Sequence, residues 1–366
     1  MNRRSFLQSV SGVPASALAA QAAIQTGSNR RILLGIDTYS LRSFRWNVFQ
    51  QLDYADGLKL DVVQSTLRDF ESLDEAYLKK AKDYAGRLGI LIEPGCGCIC
   101  PLSIGWKAQR QDDPTKNLLE IIRITQGLGA KAAKVYMGMS QDRHGPMPIL
   151  ALMEATIKGL RTVRSQALDA GMKLAVETHG DLRAAEAKTI IVESGEDFVG
   201  CCLDSGNPVN LVEDPLSALE VLGPYTVTTH IRDSVVYEHP RGAVVQSVAM
   251  GDGTIDFRQF FARFRELCPN APVVLEILTG APPSVVPYLE PDFWRAFPNV
   301  PGSELARYIA LAKRGHPFMG SIMIGRRGGK QPPAYEAALK EQERVDMERS
   351  LEYCKKSLDL GIRWRA

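Results

Sequence analysis

The sequence of 366 residues has no run of about 18 consecutive apolar residues, so stable insertion into a membrane is not expected. No G-x-G-x-x-G motif follows the first apolar run and G-x-x-x-x-G-K is absent, so nothing supports a nucleotide cofactor. An excess of one charge is also missing. Residues 1–22 carry only Arg3 and Arg4, which leaves 42 basic and 42 acidic residues in the remainder. This balance argues against a nucleic acid as partner.

Cysteine is scarce, and its main cluster has an unusual spacing. Cys96, Cys98 and Cys100 alternate within PGCGCICP. Neighbours two residues apart are geometrically poor disulfide partners, and the stretch lacks the C-x-x-C spacing of zinc sites. A metal site built from the three thiolates is an alternative, but we interpret these cysteines as residues that pack in a loop.

The first 22 residues have the features of an export signal. Arg3 and Arg4 precede Ser-Phe-Leu, and a weakly apolar stretch with Ala-x-Ala sites follows. This arrangement resembles a twin-arginine signal with cleavage near Ala22. The alternative is a frayed helix at the N-terminus of a cytoplasmic protein. We expect an exported, periplasmic protein.

Beyond this segment, short apolar runs alternate with amphipathic segments, which is typical of strands and helices around a parallel sheet. Eight apolar runs have strand length: 32–39, 60–66, 89–95, 132–138, 173–179, 198–206, 225–233 and 272–279. Helical patterns between them close on Gly89, Gly129 and Gly171, which suit the left-handed end of a helix. Eight such units over residues 30–280 predict an α/β fold, the (β/α)8 TIM barrel.

Residues 281–366 continue past the predicted barrel. They comprise a Pro-rich, aromatic stretch, a basic loop at 325–330 and a long helical pattern at 333–360. We predict a C-terminal helical extension that packs on the barrel, with the Pro-rich stretch over its mouth.

Four successive apolar runs, the fifth to the eighth, each end in a residue that can bind a metal: Glu177, Asp204, His230 and Glu276. An open doubly wound sheet would share the alternation, but closing the sheet brings these ends around one mouth. Three carboxylates and one imidazole suit a divalent ion, best Mn²⁺, with Mg²⁺, Co²⁺ or Zn²⁺ as alternatives. Each carboxylate alone could instead cap a helix or pair with a cation. His179 shares a predicted face with Glu177, as a partner of the site, a general acid or a core histidine.

Several motifs in this order resemble one family. They are ETHGD at 177–181, LDSGN at 203–207, HIRD at 230–233, GDGTIDF at 251–257 and Glu276. As a set they resemble the sugar phosphate isomerase/epimerase group of xylose-isomerase-like TIM barrels, over residues 30–280. The resemblance implies that Glu177, Asp204, His230 and Glu276 hold one divalent metal.

The resemblance also implies a chemistry. In the ketose epimerases of this family, the residues that match Glu177 and Glu276 exchange protons with a carbon next to a carbonyl. A metal at the carbonyl stabilises the enediolate that forms, and a carboxylate at the metal is placed to take the proton.

Two positions depart from the epimerase pattern. Asn207 stands where those enzymes usually carry histidine, and Val236 stands where they carry arginine. Asn207 can still donate and accept hydrogen bonds, and Arg232 and Asp233 follow His230 closely. We therefore take Asn207, Arg232 and Asp233 as candidate substrate-binding residues.

Three functions fit these residues, each with a small sugar or glycoside as partner; a homo-oligomer is compatible with all of them. The first is a metal-dependent sugar isomerase or epimerase that abstracts a proton next to a carbonyl. The second is a lyase or deglycosidase that eliminates the aglycone from 3-oxo-glycosides with the same metal and base. The third is an exported, non-catalytic sugar-binding barrel. Turnover that is lost on chelation would separate the enzymes from the binding protein.

Replacing both Arg3 and Arg4 with lysine should retain the protein inside the cell, because the arginine pair is the element that the twin-arginine route requires. Fractionation of periplasm and cytoplasm measures the result. An unchanged periplasmic fraction would refute the signal.

Overall fold

The structure, a computed structural model, describes residues 31–109, 113–321 and 332–365. The export signal at 1–22 and the basic loop at 325–330, both interpreted from the sequence, lie outside the described residues. Within the described ranges, no helix is both long enough and apolar enough to cross a bilayer.

The described chain forms eleven strands. They are β1 Leu34–Asp37, β2 Val62–Thr66, β3 Leu91–Cys98, β4 Ala132–Tyr136, β5 Lys173–Glu177, β6 Val199–Asp204, β7 Thr226–His230, β8 Asp233–His239, β9 Gly242–Val248, β10 Val273–Leu275 and β11 Ser284–Val286. Eight of them form a parallel sheet in the order β10-β1-β2-β3-β4-β5-β6-β7. A single bridge between Ile231 and Leu275 joins its two edges, so the sheet is a nearly closed barrel. The predicted fold class is confirmed.

Helices surround the barrel. They are α1 Val48–Gly57, α2 Glu75–Leu88, α3 Ile104–Ala108, α4 Pro114–Leu128, α5 Ile149–Arg161, α6 Arg164–Asp169, α7 Ala184–Ser194, α8 Pro215–Leu222, α9 Phe257–Leu267, α10 Gly302–Arg314 and α11 Pro333–Lys356. Gly89 and Gly129 end α2 and α4 at φ 69° and 71°, as predicted. The helical pattern before Gly171 is two helices, because the backbone leaves the helical region at Val163.

A second, antiparallel sheet stands beside the barrel mouth, and the sequence analysis did not foresee it. The predicted seventh strand, 225–233, is wrong at its end: β7 stops at His230, and Asp233 already begins the β8–β9 hairpin. β11, from the Pro-rich stretch, pairs with β9. A separate apolar cluster that includes Val236 and Tyr308 packs this sheet on α10.

The C-terminal residues seal the opposite end of the barrel. Met347, Leu351 and Cys354 of α11 belong to the main apolar core. After this helix, the backbone N–H groups of Ile362 and Arg363 donate to the buried carboxylate of Asp61 at 2.9 and 3.0 Å. The N–H of Leu34 also donates to Asp61, at 2.9 Å, so one side chain connects the first barrel strand to the C-terminus.

Asp61→Ala should lower the free energy of unfolding by about 3 kcal/mol, because three backbone donors lose a charged acceptor. Denaturant unfolding followed by circular dichroism measures this loss. Asp83→Ala removes only an exposed pair with Lys79 and serves as the control, with little expected change. Equal stability of the two variants would contradict the role of Asp61.

Candidate metal centre and cavity

Four side chains predicted to bind a metal converge at the C-terminal mouth of the barrel. Glu177, Asp204 and His230 are the last residues of β5, β6 and β7, and Glu276 directly follows β10. One ligand atom from each lies within 4.8 Å of all the others, and all four residues are buried. The ends of these strands are aligned because the hydrogen-bond register fixes the position of each strand relative to its neighbour. Asp204 of β6, for example, pairs with His230 of β7.

The imidazole of His230 is oriented by a polar network inside the barrel. Its Nε2 lies 2.7 Å from Oε1 of Gln64, and Nε2 of Gln64 donates to Glu93 at 3.3 Å. Thr228 also donates to Glu93, at 2.7 Å. Because the amide group of Gln64 already donates, its oxygen is left to accept from Nε2–H of His230. The other nitrogen, Nδ1, then faces the carboxylates, 3.0 Å from Oε1 of Glu177.

Asp204 is held by cationic and amide donors. Nε of Arg232 lies 3.1 Å from each of its oxygens, and the N–H groups of Gly206 and Asn207 donate at 2.6 and 2.7 Å. The side chain of Asn207 donates to Oδ2 at 2.9 Å. Arg232 is buried, but its carboxylate neighbours, Asp204 first, raise its pKa and keep it charged.

Glu177 is enclosed between two cationic groups. Burial would raise its pKa, but Lys134 and then His230 lower the pKa well below the ordinary value. Nζ of Lys134 lies 3.2 Å from Oε2 of Glu177. Burial opposes the charge on Lys134, yet Glu177 raises the lysine pKa, so the pair is ionised.

Glu276 differs from Glu177 because it reaches the solvent-accessible cavity. Its side chain is 12% exposed, whereas that of Glu177 is fully buried. Burial raises the pKa of Glu276 to about 7, although His230 and Arg232 oppose the rise. Of the two predicted catalytic carboxylates, only Glu276 lines the cavity.

The residues fit a divalent cation. Oδ2 of Asp37 is buried and makes no hydrogen bond, and the partner of the buried Oε2 of Glu177 is the Lys134 ammonium at 3.2 Å. Several carboxylates this close in a low-dielectric site repel one another unless a positive charge lies among them. Three hard oxygen donors and one imidazole are suited to Mn²⁺, Mg²⁺, Co²⁺ or Zn²⁺. Glu177, Asp204, His230 and Glu276 could therefore hold the ion.

His179 lines the cavity beside this centre. Its ring stacks on Tyr136, with centroids 4.1 Å apart, and its Nδ1 lies 3.1 Å from the carbonyl oxygen of Gly138. A carbonyl oxygen only accepts, so Nδ1 carries the hydrogen and Nε2 of the neutral ring is an acceptor. Burial lowers the pKa of His179, which favours this neutral form.

Asp233 is placed differently from the prediction. Its carboxylate accepts from the backbone N–H groups of Ser234, Gly251 and Gly253 at 2.8, 2.9 and 3.0 Å, and it does not line the cavity. We therefore correct the predicted substrate contact, because the chain turns away into β8 after Arg232. Val236, three residues after Asp233, is buried in the second apolar cluster.

The three clustered cysteines are buried, but the predicted loop is wrong for two of them, which lie in a strand. Cys96 and Cys98 belong to β3, which extends beyond the predicted end at residue 95. Burial raises the pKa of both thiols to about 12. All seven cysteines of the sequence lie in the described ranges, and there they are unpaired thiols.

The metal centre opens into a cavity of about 1390 Å³. Among its inner lining residues are Asp37, Lys134, His179, Asn207, Arg232 and Glu276. The sequence analysis missed Asp37, Gln64 and Lys134. Asp37 and Lys134 interrupt otherwise apolar strands, and that interruption was the available signal; Gln64 shares its strand with Ser65 and Thr66 and gave no such signal.

The sequence profile of the xylose isomerase-like TIM barrel family matches residues 52–293, and the chain belongs to this family. The uncharacterized protein YihM of Escherichia coli (strain K12) is 22% identical over 218 residues, which cover 60% of this chain and 61% of YihM. The chain thus spans about three fifths of the length of the curated relative that it matches.

Solved structures with the same fold include two sugar epimerases. YcjR, a 3-keto-D-glucoside 4-epimerase from E. coli, is 17% identical, with a TM-score of 0.53. The match covers 76% of this chain and 100% of YcjR. D-psicose 3-epimerase from Clostridium cellulolyticum H10 is 15% identical, with a TM-score of 0.54. The match covers 77% of this chain and 96% of the epimerase. A xylose isomerase-like TIM barrel protein from Mycobacterium smegmatis, in complex with magnesium, is 14% identical, with a TM-score of 0.55. The match covers 78% of this chain and 97% of the M. smegmatis protein. At these identities the likeness shows the fold.

Asp204→Asn should weaken Mn²⁺ binding by more than about 100-fold, because loss of a ligand exceeds the 10- to 100-fold cost of losing a supporting partner. Calorimetric titration of protein stripped with a chelator measures this, and wild type should bind about one ion per chain. Asp292→Asn makes the same change at the cavity rim and should leave binding unaltered. Wild-type affinity in the Asp204 variant would contradict the proposed ligand set.

Proposed function

We propose that this chain is a divalent-metal-dependent enzyme that moves a proton at a sugar carbon next to a carbonyl group, as a sugar isomerase or epimerase. The observation that carries the proposal is the convergence of Glu177, Asp204, His230 and Glu276 within 4.8 Å beside a cavity. Membership of the xylose isomerase-like family supports the same class, and so do sugar epimerases with this fold.

A bound ion, with Mn²⁺ as the best match, would supply Lewis acidity at the carbonyl oxygen of the sugar. The chain itself provides two further positive charges at this place, because Lys134 and Arg232 line the cavity and remain protonated. Fixed charges in a buried site favour the negative charge that develops on substrate oxygens when a proton is removed. Asn207 adds an amide group at the same wall of the cavity.

Glu276 is the best-placed base. It lines the cavity, whereas Glu177 has its oxygens 3.0 Å from His230 and 3.2 Å from Lys134. We therefore assign proton removal to Glu276 and a charge-balancing, ion-holding role to Glu177. An epimerase needs a second group that returns the proton to the other side of the carbon. His179 would fill that role in its protonated form: Nε2, which is free of the hydrogen bond between Nδ1 and Gly138, would give its proton to the carbon while Glu276 keeps the proton that it removed.

Elimination from a 3-oxo-glycoside is the second candidate, and the size of the cavity favours it. Glu276 would take the proton from the carbon between the ketone and the glycosidic carbon. The electron pair would form a carbon–carbon double bond while the glycosidic carbon–oxygen bond breaks. His179, protonated in this case, would give its proton to the departing oxygen, leaving an unsaturated keto-sugar.

Glu276→Gln should reduce proton exchange between the substrate and deuterated water by at least about 10²- to 10⁴-fold, because the amide keeps the size but loses the basicity. Mass spectrometry of sugars and oxo-sugars incubated with metal-loaded protein measures the exchange. Glu290→Gln, at the exposed rim of the same cavity, is the matched control and should exchange like wild type.

The product then separates the candidates. A new epimer or an aldose–ketose pair supports isomerisation, whereas a free aglycone with an unsaturated keto-sugar supports elimination. Absence of exchange across a broad panel, with the metal bound, would contradict both reactions and leave a sugar-binding barrel.

A further inference from the structure

We propose that the outer half of the cavity is a second subsite, which holds a ring joined through a glycosidic oxygen to the sugar at the metal centre. The inference deepens the proposed function and rests on it, because the reacting sugar must lie beside Glu276. The ligand is a glycoside whose second ring is either another sugar or an aromatic aglycone.

The volume is the first observation. Pockets for drug-sized ligands are usually about 300 to 1,000 Å³, and this cavity has about 1390 Å³. The groups that can act on a sugar, Lys134, His179, Arg232 and Glu276, all lie on strands of the barrel or directly after them. A single sugar ring held by these groups leaves the part of the cavity beyond them unfilled.

The second observation is that a separate structure encloses this outer part. Val245 and Ser247 of β9, Val285 of β11 and Phe293 of the following turn line it, and none of these elements belongs to the barrel. Val285 is 39% exposed, so the wall presents apolar surface to the cavity. β11 ends the order β11-β9-β8, and three of its residues line the cavity.

The wall is fixed in place before any ligand arrives. Nε1 of Trp294 donates to the carbonyl oxygen of Tyr288 at 2.8 Å, and Nη1 of the buried Arg143 donates to that of Ala296 at 3.2 Å. The Arg143 guanidinium also lies 4.7 Å from the ring centroid of Phe297. A preformed wall spares the ligand the entropy cost of ordering it, so contacts made there contribute to affinity.

A platform for a ring is present on the barrel side. Tyr39 is 38% exposed and lines the cavity. The guanidinium groups of Arg42 and Arg68 lie 5.0 and 5.5 Å from its ring centroid, which restrains the ring. The exposed part of this restrained ring can contact another ring, whether a sugar or an arene.

The test fills the outer subsite without touching the metal centre. Val285→Trp should lower kcat/KM, or the binding constant, about tenfold or more for a phenyl or a glucosyl 3-oxo-glucoside, because contacts of one apolar group discriminate 10- to 200-fold. The corresponding methyl 3-oxo-glucoside should change less than threefold. Leu289→Trp makes a similar change at a residue that is 63% exposed and outside the cavity lining, and should alter neither ligand.

Binding of the three glycosides to metal-loaded protein is measured by calorimetry alongside the exchange assay. The second subsite and the proton chemistry can then be refuted independently of each other. If all ligands exchange but Val285→Trp treats the methyl and ring-bearing compounds alike, the subsite is wrong and the proton chemistry stands. If no glycoside exchanges, but the phenyl and glucosyl compounds bind wild type more tightly than the methyl compound and lose this advantage in Val285→Trp, the subsite stands without the reaction.

Tighter binding of the phenyl than of the glucosyl compound identifies an aromatic aglycone as the second ring. Tighter binding of the glucosyl compound identifies a second sugar. No binding of any of the three at millimolar concentration would overturn the subsite.

Discussion

The mutual repulsion of buried carboxylates is the constraint on which the rest of this structure depends. Glu177, Asp204 and Glu276 lie with His230 inside a 4.8 Å cluster, where water screens their charges poorly. Lys134 lies 3.2 Å from Glu177, and Arg232 lies 3.0 Å from Asp204 and 3.6 Å from Glu276. The buried Oδ2 of Asp37 makes no hydrogen bond, so protein groups leave one acceptor oxygen at this centre unsatisfied. A divalent cation would supply the missing positive charge.

Such a cluster can exist only on a rigid support, and the barrel interior provides it. Gln64, Glu93 and Thr228 form a polar layer that contacts His230 inside the barrel. Burial raises the pKa of Glu93, although hydrogen bonds from Thr228 and Gln64 oppose the rise. The layer sets the ring orientation of His230 through Gln64, as supporting partners of metal-binding histidines generally do. Stability and site geometry are therefore determined by the same strands.

The sequence was sufficient for the barrel and for the four converging residues, because both depend on local pattern. Each of Glu177, Asp204, His230 and Glu276 ends a run whose apolar character predicts a strand, and parallel strands end at one mouth. Lys134 and Gln64 required knowledge of which strand residues face inward, and this depends on barrel closure. The β8–β9 hairpin was missed although HPRG separates two β-branched runs, because the eight-strand count was already complete. The prediction that Asp233 contacts the substrate was wrong for the same reason. Asp233 is close to His230 in sequence, but the chain turns away between them, so the two side chains lie in different places.

That reversal also joins the two halves of the cavity. After His230, one residue separates the imidazole from Arg232, which pairs with Asp204 and lines the inner cavity. The next residue, Asp233, begins the hairpin whose second strand lines the outer cavity, and its carboxylate anchors the backbone at Gly251 and Gly253. The segment that carries His230, a candidate metal-binding residue, thus continues directly into the hairpin that lines the outer cavity. The hydrogen bonds of Asp233 hold the start of this hairpin in place. Because a strand end and a capped hairpin are both rigid, the distance between metal centre and wall is set by covalent connection and does not depend on a flexible loop. A cavity built in this way would select ligands by their length as well as by the group that meets the metal centre.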